Sequence, residues 1–154
     1  MCTRIVLVTS STVGQRVTIS GARIAPCPAD LAGSFLARFD QRPPQRPIVV
    51  LGAFEEDQTL IGVAAVGDQD DANAFFVIVV DPARRELKVG SDLLHAAIEA
   101  TEAIAAVEAP GIRRLRTIYR QSAAADRLLD SSGLLVARRR AGGEVTAVVF
   151  LPPS

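Results

Sequence analysis

The sequence predicts an α/β fold: a mixed, mostly antiparallel sheet flanked by helices. Three observations carry this. Short runs of β-forming residues recur along the chain, separated by polar turns. One of them, Phe75 to Val80 (FFVIVV), is apolar without alternation, as a strand buried on both faces must be. After it, Val89 to Val107 repeats apolar residues at helical spacing. Val89, Leu93, Leu94, Ala97, Ile98, Thr101 and Ile104 share one face, while Asp92, His95, Glu99 and Glu102 lie mainly off it.

Taken in order, Arg16 to Ile24 (RVTISGARI) reads as strand, turn and strand around Ser20-Gly21, with residues 1–16 as an extra N-terminal strand or arm. Pro26-Cys27-Pro28-Ala29-Asp30 is a turn that offers Asp30 as a helix N-cap, and Leu31, Phe35, Leu36 and Phe39 follow at helical spacing. Gln41 to Pro47 (QRPPQRP) is expected to be a mobile loop. Ile48 to Phe54 and Leu60 to Val66 are strands joined by the polar connection Glu55 to Gln58. Gly67 to Asn73 is a second polar turn before the strand Ala74 to Val80. Ala109-Pro110-Gly111 stops the long helix. Ile112 to Tyr119 is a strand and Ser122 to Asp130 a short helix, ended by Ser132-Gly133. Leu134 to Arg139 and Glu144 to Leu151 form a hairpin across Ala141-Gly142-Gly143. No repeat and no linker interrupts this order, so residues 1–154 read as one domain.

Composition narrows the function. Hydrophobic residues make up 49% of the chain, enough for a core. Charge balances at 17 basic against 17 acidic residues, which argues against nucleic acid and against an anionic membrane surface as partners. No apolar run reaches the roughly 20 residues of a membrane-spanning helix. Cys2 and Cys27 form no metal or redox motif, so no metal is expected, and a cytoplasmic protein with free thiols is the economical reading.

The segment from Phe75 to Leu94 carries the chemistry. A strand, a tight loop (Asp81 to Lys88) and a helix N-terminus near Gly90-Ser91 follow one another. The first N–H groups of a helix lack partners, and the helix dipole favours negative charge there. The arrangement suits a phosphate or pyrophosphate, and so a nucleotide-like cofactor, with Arg84 or Arg85 assisting. The same segment also suits an ordinary strand-to-helix turn.

At this point the chain resembles the GNAT (GCN5-related N-acetyltransferase) superfamily, as a divergent member. The family's pyrophosphate loop, V-x-P-x-x-(Q/R)-G-x-G-x-(G/A) and paired leucines, is matched by Val80, Pro82, Arg85, Gly90, Leu93 and Leu94, while Glu86 and Lys88 stand where the family prefers Gly. The later Asn-x-x-(A/M)-x-x-Leu and Gly-Phe pattern has a counterpart in Ser122, Ala125, Leu128 and Gly133-Leu134. Gly21 to Pro26 with Asp30 resembles the first strand and helix start.

The resemblance implies acetyl-CoA or another acyl-CoA as cosubstrate and transfer to an amine, on a small molecule or a protein. It places Ile78, Val79 and Val80 among the cofactor-binding residues and the pyrophosphate over Arg85, Glu86, Leu87, Lys88, Val89, Gly90 and Ser91, with Ser122 near the pantetheine arm. The family's usual base would fall in Ala74-Phe75-Phe76, without a carboxylate, and its tyrosine acid falls on Leu129. Tyr119, the one tyrosine, is the remaining candidate acid, or it packs on the sheet. Ser122 contacts the cofactor or caps its helix. Asp70, Asp71 and Asn73 place a water-linked base or are turn residues. His95 is expected on the surface and Arg138-Arg139-Arg140 at a solvated hairpin end. A catalytically degenerate GNAT-fold binding or regulatory protein is the alternative. Oligomeric state is open, a homodimer included.

Overall fold

Alternating side-chain burial along β-branched runs builds the sheet in the computed structural model, which describes residues 21–107 and 111–152. The strands are β1 (Arg23–Pro26), β2 (Pro47–Phe54), β3 (Leu60–Asp70), β4 (Asn73–Val80), β5 (Arg114–Arg120), β6 (Leu135–Ala141) and β7 (Glu144–Phe150). The helices are α1 (Ala29–Arg38), α2 (Val89–Ala105) and α3 (Ala123–Asp130), with a 3₁₀ turn over Pro82–Leu87 before α2. The seven strands lie in the order β1-β2-β3-β4-β5-β7-β6. Among the described residues only β4 and β5 run parallel; every other neighbouring pair is antiparallel. The predicted mixed, mostly antiparallel sheet is therefore present, with Phe75 to Val80 in its middle strand.

Two apolar clusters, one on each face, explain why β4 reads as continuously apolar. Ala74, Phe76 and Val80 join Val89, Leu93, Leu94 and Ile104 of α2 on one face. Val77 joins Phe35 and Leu36 of α1 on the other, and Phe75 and Val79 pack against that cluster. Side chains of successive strand residues point to opposite faces, so a strand between two helices must be apolar at every position. Burial of Leu93 and Leu94 stabilises the α2 side by about 1.5–3 kcal/mol each, relative to leaving them in water.

Several boundaries differ from those the sequence suggests. α1 starts at Ala29, with Pro28 at the N-cap position, so Asp30 falls inside the first turn and caps nothing; its Oδ1 accepts only the neighbouring Leu31 N–H at 3.0 Å. There the carboxylate still complements the helix dipole. Gly67 to Asn73 is not a single polar turn. β3 runs on to Asp70 through an irregularity in its pairing with β4 after Gly67. Asp68, at φ 52°, uses this irregularity to turn its carboxylate toward the α1–β2 loop. Residues 1–16, expected as an extra strand or arm, and most of the first predicted strand, with Cys2, lie outside the described residues, as do Ala109 and Pro110 of the helix stop.

The Pro-rich α1–β2 loop, expected to be mobile, is clamped. The Asp68 carboxylate accepts the main-chain N–H of Arg46 at 2.7 Å and of Gln45 at 3.1 Å, and Asp68 N–H donates to Arg46 O at 3.0 Å. Gly67 lets the loop lie this close. A Cβ at Gly67 would strike the Arg46 carbonyl oxygen, and would sit 2.7 Å from Pro44 Cβ and 2.8 Å from Pro47 Cα. Backbone atoms on both sides leave little room to relax. Gly67→Ala should therefore destabilise the protein by about 1–3 kcal/mol in denaturant unfolding. Gly90→Ala, whose Cβ would meet nothing nearer than 3.5 Å, should cost much less; equal costs for the two would refute the clamp.

Candidate functional site

The sheet opens at its centre. β4 and β5 pair only at Asn73↔Arg114, Ala74↔Leu115 and Phe75↔Arg116. Beyond these pairs β4 stays registered with β3 as far as Val80, and β5 stays registered with β7 as far as Arg120. The two strands thus part while each remains held by its outer neighbour. Their facing edges carry main-chain N–H and C=O groups with no strand partner, a row of donors and acceptors for an extended ligand. Arg114 Nε donates to Asn73 Oδ1 at 2.7 Å and fastens the closed end of the gap.

The open end lies beside the N-terminus of α2. Asp81 begins the connection: its Oδ1 accepts the Ala83 N–H at 3.1 Å, which starts the 3₁₀ turn. Arg84 reaches back to Glu55 Oε1 at 3.1 Å and so ties this turn to the β2–β3 hairpin. An anion would have to compete with Glu55 for that guanidinium. Arg85, Glu86 and Leu87 complete the turn, and their side chains lie outside the described part of the structure. Lys88 is exposed at the α2 N-cap position with φ 62° and ψ 25°, the left-handed conformation that favours glycine. Its carbonyl accepts the Asp92 N–H at 3.2 Å, so the N–H groups of Val89, Gly90 and Ser91 occupy the unpaired first turn of the helix. Val89 is buried, and a Cβ at Gly90 would lie 3.5 Å from both Val80 Cγ2 and Leu128 Cδ1. Glycine here keeps the mouth of the gap clear on the helical face.

α3 completes that face. Ser122 is its N-cap, φ −158° and ψ 126°, with Oγ accepting the Ala125 N–H at 3.3 Å. The capping role is thus present, and the hydroxyl proton is left for another acceptor. Ser91 Oγ lies 3.3 Å from Ser131 Oγ and 3.5 Å from His95 Nδ1, and His95 Nε2 lies 3.0 Å from Ser131 O. His95 is on the surface as expected, where it bridges α2 to the end of α3. Leu129 is buried in the core. Cys27 is also buried, and burial, with Asp30 adding, pushes its thiol up to about 11, which leaves no thiolate at neutral pH.

Tyr119 is engaged rather than free. Its hydroxyl donates to Asp126 Oδ1 at 2.6 Å, and Arg138 Nε lies 3.4 Å from the same oxygen of the phenol. Arg138 also donates to Asp130 Oδ1 at 2.8 Å and to Asp126 O at 3.0 Å, and Arg140 to Asp126 Oδ2 at 3.1 Å. Burial raises the Tyr119 pKa above its usual value, and the bond to Asp126 adds to this. The phenol proton is held by Asp126, so the residue ties β5 to α3. The predicted basic run divides by strand alternation: Arg138 and Arg140 join this network, while Arg139 lies on the other face. Asp70, Asp71 and Asn73 sit at the β3–β4 hairpin, with Asn73 holding Arg114.

Two things escaped the sequence reading. Asp126 has no motif of its own; its signal was the charge-complementary Arg138 and Arg140. The row Arg114, Arg116 and Arg120 on β5 was legible as even spacing in RLRTIYR, which puts all three on one face. Among the described residues no group of three or more His, Cys, Asp and Glu could hold a metal, and no helix is long and apolar enough to cross a membrane.

The description "Acetyltransferase (GNAT) family" matches residues 21–133. A GNAT-family acetyltransferase from Streptococcus pneumoniae superposes with a TM-score of 0.64 at 19% identity, covering 85% of this chain and 99% of that one. The yncA protein of Salmonella typhimurium, in a structure with its cofactor acetyl-CoA, gives 0.65 at 17% identity, covering 86% and 95%. The spermidine/spermine N-acetyltransferase SpeG from Vibrio cholerae gives 0.53 at 14% identity, covering 67% and 66%. At these identities the likeness shows the fold. No curated protein matches the sequence.

The Asp126 carboxyl is held below the usual carboxylate range, first by the Tyr119 hydrogen bond and then by Arg140 and Arg138. A carboxyl with a depressed folded-state pKa contributes stability above its unfolded pKa, and that contribution is lost as pH falls through the folded value. The parent protein should therefore melt higher than Asp126→Asn at neutral pH, and the difference should shrink below about pH 4. A constant difference from neutral pH to strong acid, in thermal melts, would contradict the charged role of Asp126.

Proposed function

The chain belongs to the Acetyltransferase (GNAT) family, and from that premise we propose that it is an acyl-CoA-dependent N-acyltransferase that uses acetyl-CoA. The observation that carries this reading is the gap between β4 and β5, with free main-chain groups along its edges and a helix N-terminus at its mouth. Its residues fit coenzyme A. The N–H groups of Val89, Gly90 and Ser91, after the turn through Arg85, Glu86, Leu87 and Lys88, would take the pyrophosphate. Ile78, Val79 and Val80 would line the pantetheine arm, and the Ser122 hydroxyl has a proton free for one of its amide carbonyls. The Lys88 ammonium, exposed beside the same N-terminus, adds positive charge, and its backbone holds the left-handed conformation that glycine adopts most readily.

In this reading the acyl-CoA supplies an activated thioester. The amine nitrogen forms the C–N bond, the C–S bond breaks with its electron pair leaving on sulfur, and the proton lost by nitrogen passes to the thiolate or to solvent. N–H groups on the free edge of β4 stabilise the carbonyl oxygen as charge develops. Holding thioester and amine together supplies much of the acceleration. Phe75 and Leu129, at positions where the family's base and acid stand, favour slow turnover: a missing acid or base costs roughly 10²–10⁴-fold in rate. The same two residues are the specific ground for the second reading, a GNAT-fold protein that binds acyl-CoA without catalysis.

Calorimetric titration with acetyl-CoA and with CoA, followed by an amine panel, separates these readings. Binding with transfer supports the first, binding without transfer the second, and no binding overturns both. Gly90→Val should weaken acetyl-CoA binding by at least about tenfold, since its branches enter the mouth of the gap, while Arg138→Ala lowers stability and leaves affinity intact. Equal affinities would mean that the cofactor site is wrongly placed. Tyr119 acts as the thiolate's acid only if loading frees its proton from Asp126. Tyr119→Phe should then lower kcat and leave acetyl-CoA affinity unchanged; unchanged kcat would reduce Tyr119 to a structural tie.

A further inference from the structure

One set of charges is used by none of the groups above. Leu115 and Thr117 of β5 are buried on the helical face, so Arg114, Arg116, Ile118 and Arg120 point to the opposite face. There α1 covers β2 and β3, while the half made by β5, β7 and β6 is uncovered among the described residues. Ile118 is 49% exposed and Leu135 72%. Arg114 is held by Asn73. Arg116 and Arg120 are exposed and, among the described residues, make no side-chain hydrogen bond or ion pair. Val148 of β7 lies beside Arg116, Thr146 beside Ile118, and Glu144 beside Arg120; Arg139 of β6 lies beyond Thr146 on the same face. Glu144 is the one acid in this row.

The gap is approached differently from its two faces. On the helical face α2 and α3 meet across it, at Gly90 against Leu128 and at Ser91 against Ser131. On the other face the way in runs over β5. A molecule that reaches the middle of the gap from there passes Ile118 and the two unpaired guanidiniums.

We propose that Arg116, supported by Arg120, selects the acceptor, and that the amine substrate carries an anionic group, a carboxylate or a phosphate, beside the nitrogen that is acylated. This rests on the acyltransfer reading. A guanidinium fork matches either oxyanion with two parallel hydrogen bonds. An anion held at Arg116, which with Phe75 forms the last β4–β5 pair, leaves the rest of the molecule to reach into the gap. A polyamine meets like charge at the same place. In the transfer, the amine nitrogen bonds the acyl carbon, sulfur leaves with the electron pair, and the proton lost by nitrogen passes to the thiolate or to solvent; the anionic group takes no part.

The test compares matched amines at saturating acetyl-CoA: β-alanine with β-alaninamide for carboxylate, phosphoethanolamine with ethanolamine for phosphate, and spermidine as a polycation. The anionic member of at least one pair should exceed its neutral partner about fivefold or more in kcat/KM, as expected for one or two partly exposed ion pairs, and spermidine should be poorest. Which pair responds identifies the anion. Rising salt should shrink the advantage. Arg116→Gln should abolish it and Arg116→Glu should turn preference toward spermidine, with acetyl-CoA affinity unchanged as the check on folding. Equal rates within both pairs, a preference for spermidine, or ratios indifferent to Arg116→Glu would overturn the selection alone. Bound acetyl-CoA with no transfer to any amine would overturn the acyltransfer reading and the selection with it.

Discussion

The rest of the structure depends on how briefly β4 and β5 pair. Three residue pairs join them, and then two parallel strands in the middle of a sheet stop bonding to each other. Main-chain groups left without partners cost free energy wherever water does not replace the partner. The opening persists because each strand is held elsewhere: β4 by β3 along its length, β5 by β7 along its own. At the closed end the Asn73–Arg114 hydrogen bond adds a side-chain fastening. A ligand that lies in the gap satisfies groups that the fold itself cannot.

That division also requires both halves of the sheet to be immobile. The α2 side does this by burial, with Leu93, Leu94 and Val89 fully enclosed against β2, β3 and β4. The α1 side does it with a smaller cluster and a loop drawn onto β3 by one carboxylate. Gly67 and Asp68 act together: the glycine removes the Cβ that would hold the loop away, and the aspartate binds two of its N–H groups. A left-handed φ at Asp68 is the local strain that this costs, about 1–2 kcal/mol for a residue with a Cβ. The α3 half is fastened by ion pairs instead, Arg138 and Arg140 against Asp126 and Asp130.

Elements dictated by local pattern were legible in the sequence. Phe75 to Val80 announced a strand between two helices, and the helix from Val89 followed from its spacing, because period and burial are properties of the residues themselves. The ends of elements were not. Asp30 resembles a cap, but Pro28 already sets the turn and fixes the helix start one residue before the aspartate. Gly67 to Asn73 resembles a turn because its residues are polar, yet polar residues near the end of a long hairpin pair as well as apolar ones. Arg138-Arg139-Arg140 was read as one charged run; on a strand it is two residues facing α3 and one facing away. Most important, the length of the β4–β5 pairing leaves no mark on either strand alone. The strand–loop–helix order and the family resemblance pointed to the mouth of the gap, and only the register reveals the gap itself.

The proposed transfer would proceed with few ionisable groups in the site. Ile78, Val79 and Val80 line one edge of the gap, and Phe75 and Val77 face the α1 side beside it. An ammonium entering such surroundings loses hydration, which lowers its pKa and favours the neutral, nucleophilic amine. That shift does part of what a carboxylate at the position of Phe75 would do. It also raises the cost of bringing the amine in, so the acceptor needs an attachment whose own solvation is not sacrificed. Arg116 and Arg120 lie on the exposed side of β5, where an anionic group keeps water on one side and a guanidinium on the other. In the proposed acceptor the two ends therefore meet opposite environments, and each environment suits the charge state that the end must have.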